Sequence, residues 1–219
     1  MNVVFIVFAG IGSRIHSDIP KQFIKINNKE LVSYTISAFN NHNHIDEIIL
    51  ITHKDYYEYT KNMVDLYHFN KVKKIIVGGA TRQESVRIGL ESTNYGDLDK
   101  ILIHDGDRPL VSPSIIDNAL NSLDNHICSS PFIYKSEELD GVSNAGRKYI
   151  YSKLDIDIQT PQAFRYKSIK DLHIKFKDNE VSDDISLYDD KDVYLYKGEP
   201  INIKITLDCD LEFLKNRLK

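Results

Sequence analysis

The chain has little cysteine. Cys128 and Cys209 stand far apart and form no Cys-x-x-Cys, so they indicate neither a disulfide framework nor a zinc site. A reducing, cytoplasmic setting is expected. There is no block of like charge either. Lysine plus arginine (28) nearly balance aspartate plus glutamate (32), for a net charge of −4. That disfavours nucleic acid as a partner but leaves room for a small anion in a local basic pocket. A long hydrophobic run is also missing. Val3–Phe8 is too short to cross a membrane and no basic residue precedes it; its β-branched side chains read as a buried strand. No membrane partner is expected. With no internal repeat and no linker, residues 1–219 are expected to form one domain.

Two phosphate-binding signatures are absent as well. There is no Gly-Lys-Ser/Thr of the P-loop type, and Ile15 stands where a dinucleotide fingerprint needs its third glycine. What is present is Ala9-Gly10-Ile11-Gly12-Ser13-Arg14, followed by Pro20-Lys21-Gln22. Gly10 and Gly12 allow a tight turn with exposed N–H groups, which is an anion-binding nest. A plain strand-to-helix turn is the alternative reading. Arg14 and Lys21 place two cations beside that loop, as charge on a transferring phosphoryl group requires.

Apolar periodicity predicts strands at Val3–Phe8, Glu47–Thr52, Lys74–Val77 and Ile101–Ile103, the last ending on His104-Asp105. Helices are predicted at Leu31–Phe39, Asp55–Leu66, after Thr81 as cap, and from Ser112-Pro113 to about Leu123. This alternation implies an α/β fold: a three-layer, mostly parallel Rossmann-like sheet with ligands outside the carboxyl ends of its strands. The Gly loop, Gly78-Gly79 and His104-Asp105 should therefore meet on one rim. The pattern then breaks. Pro131–Tyr134 and Tyr149–Tyr151 read as strands flanking a polar segment, so residues 135–152 are expected to form a projecting hairpin arm that dimerises the chain. Beyond it, a helix near Lys167–Phe176, strands at Val193–Tyr196 and Ile201–Thr206, and a helix from Asp208 are expected.

Phe8–Arg14 and Pro20-Lys21-Gln22-Phe23 resemble the nucleotide loop of the polyol-phosphate cytidylyltransferases, the methylerythritol-phosphate and ribitol-phosphate enzymes. The resemblance continues, in the family's order, through Gly78–Val86, His104–Pro109, Thr160–Phe164, Ser182-Asp183-Asp184 and Asn202–Thr206. It implies the family's nucleotidyltransferase fold and CMP transfer from CTP to a small polyol phosphate with release of pyrophosphate. In that frame Arg14, Lys21 and Lys204 act on the triphosphate and transition state. Ala9, Gly10, Gly12, Gly79, Arg82, Ser85 and Asp105 bind nucleotide, with Ser85 and the Gly79 backbone reading the pyrimidine edge. Asp105 helps to hold Mg²⁺. Asp107, Arg108, Lys153 and Asp183 fall on the acceptor side, although Arg108 is also a candidate brace for Asp105. A phosphate acceptor is already ionised at neutral pH, its second pKa being about 6, so no general base is needed.

The chain departs from the family on the arm. The acceptor-binding arginine falls on Ser152, with Lys153 or Arg147 as possible substitutes, and the usual Asp-Thr pair falls near Tyr134-Lys135. Asp107 stands where the family has a small or apolar residue, and is read as a metal ligand or a solvent-facing carboxylate. Ser182–Leu187 and Arg82–Val86 lean toward the methylerythritol-phosphate branch of isoprenoid biosynthesis. A polyol phosphate feeding a surface polysaccharide stays open. Two further readings survive. Asp105-Gly106-Asp107 is a D-x-D, as in GT-A-like glycosyltransferases that use nucleotide sugars, and the altered arm suits a nucleotide-binding paralogue with little activity. His42 and His44 read as loop residues, His104 as a packed support, and Asp183-Asp184 as acceptor contacts or helix caps.

Overall fold

The computed structural model describes residues 1–10, 17, 19–134, 156–179 and 181–218. Its first strand, β1 (Asn2–Phe8), has six consecutive buried residues. Each such apolar side chain contributes about 1.5–3 kcal/mol on burial, so this strand belongs inside the sheet. A short hairpin, β2 (Lys25–Ile26) with β3 (Lys29–Glu30), leads into α1 (Leu31–Asn40). Strand β4 (Glu47–Thr52), helix α2 (Tyr57–Leu66), strand β5 (Val72–Val77), helix α3 (Arg82–Glu91) and strand β6 (Lys100–Asp105) follow in strict alternation. Helix α4 (Pro113–Ser122) starts as the sequence predicts, with the Ser112 hydroxyl accepting from the Ile115 N–H at 3.2 Å and proline at the first turn.

The second half is less regular. It comprises β7 (Cys128–Tyr134), β8 (Ile156–Ile158), β9 (Gln162–Arg165), α5 (Tyr166–Lys175), β10 (Val193–Lys197) and α6 (Asp208–Arg217). The strands form an eight-stranded sheet in the order β10-β7-β9-β6-β1-β4-β5, with β8 on β7. β6, β1, β4 and β5 run parallel, as do β7 and β10; β9 enters antiparallel between β6 and β7. The fold is thus Rossmann-like α/β with a mixed, mostly parallel sheet.

Alternation along β1 assigns the layers. Val4, Ile6 and Phe8 pack against α1, α2 and α4, while Val3, Phe5 and Val7 pack against α3 and α5. α6 covers a third cluster, in which Leu211 and Leu214 meet Ile26, Leu31 and Ile205. Among the described residues, no helix is long and apolar enough to cross a membrane.

One expectation needs correction and one strand adds to the reading. Ile201–Thr206 is not a strand. Its apolar alternation is real, but side chains take its backbone groups: the Asn202 carbonyl accepts from Arg108 Nη1 at 2.9 Å and from Gln159 Nε2 at 3.2 Å. Strand β9 was not predicted, because Gln162–Arg165 offers little apolar pattern and its pairing comes from two distant strands. The expected arm, with the strand at Tyr149–Tyr151, lies outside the described residues. The strands flanking it, β7 and β8, pair antiparallel with Tyr134 opposite Ile156.

Candidate active site

The parallel register puts the carboxyl ends of β1, β4, β5 and β6 on one edge. At the end of β5 the chain turns at Gly78, where closeness demands glycine. A Cβ there would stand 2.5 Å from the Ala9 Cβ and 2.7 Å from Ser85 Oγ. The turn is held from within. Ser85 Oγ accepts from the Gly79 N–H at 3.1 Å and donates to the Thr81 carbonyl at 2.8 Å, and Thr81 caps α3 by accepting from the Glu84 N–H at 3.0 Å. Ser85 therefore shapes the turn, and both it and the Gly79 N–H are already engaged with each other.

Arg82 opens α3 and reaches two carboxylates. Its Nε donates to Asp105 Oδ1 at 2.9 Å and its Nη1 to Asp184 Oδ2 at 2.7 Å. Asp105 also receives Lys204 Nζ at 3.0 Å on Oδ2, with Arg108 Nε 3.6 Å away. Burial alone would raise the Asp105 carboxyl, but Arg82, Lys204 and Arg108 outweigh it and hold it well below the usual range. Asp184, also buried, is lowered in the same way by Arg82 and by His173, whose Nε2 lies 3.0 Å from Oδ1. Asp184 thus supports Arg82 from behind; neither it nor Asp183 makes a side-chain cap on the Asp184–Leu187 turn.

Lys21 comes from the single turn Lys21–Phe23 after Pro20. Its ammonium donates to the Ile205 carbonyl at 2.7 Å and lies 2.6 Å from Asp107 Oδ2. The Ile205 N–H in turn donates to the Asp107 carbonyl at 2.9 Å, closing a triangle. Asp107 is therefore not solvent-facing: its side chain is 12% exposed and paired. Beside it, Gln22 Nε2 donates to the Phe8 carbonyl at 2.7 Å and to that of Gly10, which ties the Lys21 turn to the Gly loop.

His104 is fully buried. Its ring nitrogens contact Thr160 Oγ1 at 3.0 Å and the Arg108 carbonyl at 3.2 Å, and Phe39 meets the ring edge-on. Burial pushes its pKa down to about 3. It is a support, as its place beside Asp105 suggests. Arg108, 6% exposed, braces Asp105 and Asn202 from inside the protein.

These elements enclose a cavity of about 220 Å³. Ala9, Gly10, Lys21, Gly79, Arg82, Ser85, Asp105, Asp107 and Lys204, all singled out from the sequence, stand on its wall. Arg108 and Asp183 do not line it. Gly12, Arg14, Arg147, Ser152 and Lys153 lie outside the described residues. Sequence reasoning missed two supports: Asp184 as the second partner of Arg82, and Gln22, whose place in the Pro-Lys-Gln block was the available signal.

His42 and His44 meet Asp117 at the opposite, amino end of the sheet. His44 Nδ1 lies 2.9 Å and His42 Nε2 3.4 Å from Asp117 Oδ1. His42 Nδ1 accepts from the His44 N–H at 3.3 Å, which leaves the ring proton on Nε2, facing Asp117. Hydrogen bonding accounts for this cluster.

A cation-lined cavity at the carboxyl edge of such a sheet defines a nucleotide-binding α/β protein. Over residues 2–218 the chain matches the family model described as IspD: 2-C-methyl-D-erythritol 4-phosphate cytidylyltransferase. It is 39% identical to the 2-C-methyl-D-erythritol 4-phosphate cytidylyltransferase of Clostridium botulinum (strain Okra / Type B1), over 96% of this chain and 94% of that one. The Clostridium tetani protein of the same name is 36% identical, over 100% of this chain and 90% of its own. Among solved structures, 4-diphosphocytidyl-2C-methyl-D-erythritol synthase from Anaerococcus prevotii superposes with a TM-score of 0.80 at 26% identity, covering 99% of this chain and 95% of that one. The chain belongs to the 2-C-methyl-D-erythritol 4-phosphate cytidylyltransferase family, and is an enzyme, a CTP-dependent nucleotidyltransferase. The glycosyltransferase reading is not favoured.

Proposed function

We propose that the chain transfers CMP from CTP to 2-C-methyl-D-erythritol 4-phosphate. An acceptor phosphate oxygen forms a bond to the α-phosphorus of CTP, the bond from that phosphorus to the β-phosphate oxygen breaks, and pyrophosphate leaves. The observation that carries this reading is the wall on which Lys21, Arg82 and Lys204 converge from three separate segments. Three cations on one wall would offset the negative charge that builds up on phosphoryl oxygens during transfer, so catalysis is positioning plus electrostatics. His104 is excluded as a base, because its pKa is about 3 and both ring nitrogens are engaged. An ionised acceptor phosphate needs none. Mg²⁺, when bound, would supply positive charge that offsets that of the phosphates. Of the two carboxylates on the wall, Asp105 and Asp107, Asp107 is the one that would hold it. Mg²⁺ takes oxygen ligands, and Asp107 Oδ1 is buried with no hydrogen-bond partner among the described residues.

The test is pyrophosphate release from CTP and Mg²⁺ with a panel that includes 2-C-methyl-D-erythritol 4-phosphate and ribitol 5-phosphate. Turnover with the first is expected. Turnover with ribitol 5-phosphate alone, or with no acceptor, overturns the proposal. A homodimer built through residues 135–152 belongs to the same reading; a monomeric chromatographic mass at all concentrations would count against it.

A further inference from the structure

We infer that Asp107 is the carboxylate that receives the divalent cation of the nucleotide complex, and that Lys21 occupies it until nucleotide arrives. This rests on the proposed cytidylyltransferase reading and adds a ligand and a partner exchange to it.

Asp105 and Asp107 differ in what surrounds them. Asp105 has both oxygens engaged, Oδ1 by Arg82 at 2.9 Å and Oδ2 by Lys204 at 3.0 Å, with Arg108 3.6 Å from Oδ2. Three cations around one carboxylate oppose the approach of a fourth positive charge. Among the described residues, Asp107 has one cation, Lys21, on Oδ2, and its Oδ1 is buried and without a hydrogen-bond partner. A buried carboxylate oxygen without a donor calls for an explanation, and this one belongs to a residue on the cavity wall. Hard dications take such oxygens.

The backbone holds Asp107 in place for this role. The Gly106 N–H donates to the Val7 carbonyl at 2.9 Å, and the Gly106 carbonyl accepts from Thr35 Oγ1 at 2.9 Å. A Cβ at Gly106 would stand 2.8 Å from the Phe8 Cβ, so the strand-end loop sits tight against β1. The Ile205 N–H fixes the Asp107 carbonyl, and the Ile205 carbonyl takes a second N–H of Lys21. Lys21 can therefore release Asp107 and turn to a phosphate without losing its backbone anchor, since an ammonium has three donors.

The charges give this inference a sign. Without a metal, the Asp107 carboxylate repels a triphosphate and neutralises Lys21. With a metal between them, the same carboxylate attracts the complex. Asp107→Asn, nearly the same shape without the charge, must then act in opposite directions under the two conditions. The probe is the non-cleavable α,β-methylene analogue of CTP, titrated calorimetrically into wild type and variant, in EDTA and then in Mn²⁺. Mn²⁺ binding is followed in parallel by electron paramagnetic resonance. The variant should bind the metal-free analogue several-fold more tightly. In the ternary complex its Mn²⁺ affinity should fall by about tenfold or more. In Lys21→Met, which frees Asp107, nucleotide-free Mn²⁺ affinity should rise several-fold.

Weaker analogue binding by Asp107→Asn under both conditions would mean that Asp107 only positions Lys21, and would overturn the inference. So would unchanged affinities, or unchanged Mn²⁺ binding in Lys21→Met. Failure of wild type to bind the analogue under either condition would instead overturn the cytidylyltransferase reading, and this inference with it.

Discussion

Arg82 Nη1 lies 2.7 Å from Asp184 Oδ2, joining the first residue of α3 to a side chain 102 positions later. Through its Nε the same guanidinium holds Asp105, so the position of Asp105 at the rim depends on a residue that never reaches the cavity wall. Asp184→Asn leaves Arg82 short of a buried counter-charge. Removing one partner from a buried pair costs about 3–5 kcal/mol, and urea unfolding at pH 7 should show a loss of that size. The acid limb should change too. The folded-state pKa of Asp184 lies below its unfolded value, so its contribution is complete above the ordinary carboxylate range and disappears as the pH falls through the lowered pKa. The variant should unfold less steeply with acid than wild type.

His104 produces a different pH window. Burial lowers its pKa from 6.5 to about 3, so the unfolded chain binds a proton that the folded one refuses. Its contribution is complete above pH 6.5 and declines as the pH falls toward 3. The slope approaches about 1.4 kcal/mol per pH unit from this group. Unfolding free energies at pH 7.5, 6 and 5 test the slope, and the His104 ring resonance should show no titration near 6.5. A normal titration there would refute the buried neutral ring.

Lys21→Ala separates binding from turnover. Lys21 acts where charge develops, so its loss should lower kcat by about 10²-fold or more and change the CTP dissociation constant far less. Steady-state pyrophosphate release and calorimetric CTP titration measure the two. Unchanged turnover would remove Lys21 from the catalytic set.

Gly78→Ala tests the geometry of the turn. The new methyl must displace the Ala9 and Ser85 side chains, and overpacking of this kind costs about 1–3 kcal/mol. Lower thermal stability together with weaker CTP binding is expected, because both displaced residues stand on the cavity wall. A fully stable variant with normal CTP affinity would show that the turn yields without consequence.

The sequence by itself determined the repeating strand–helix part of the fold. β1, β4, β5 and β6 are runs of β-branched and apolar residues, Thr81 and Ser112 cap the helices that follow, and parallel strands with short crossovers must bring their carboxyl ends to one rim. That is enough to gather Ala9, Gly10, Gly79, Arg82, Ser85 and Asp105. The tertiary structure decided everything that depends on contact between distant segments. It inserted β9 antiparallel between β6 and β7, turned the apolar alternation of Ile201–Thr206 into a side-chain-bonded loop, placed Asp184 behind Arg82, and packed Arg108 against Asp105 and the Asn202 carbonyl. It also gave Asp107 its meaning. In the sequence Asp107 is one more carboxylate after a strand; in the fold, Ile205 and Lys21 close around it from opposite ends of the chain. Local pattern records which backbone groups a residue's neighbours satisfy, whereas the partner of a buried charge is set by which segments the core brings together.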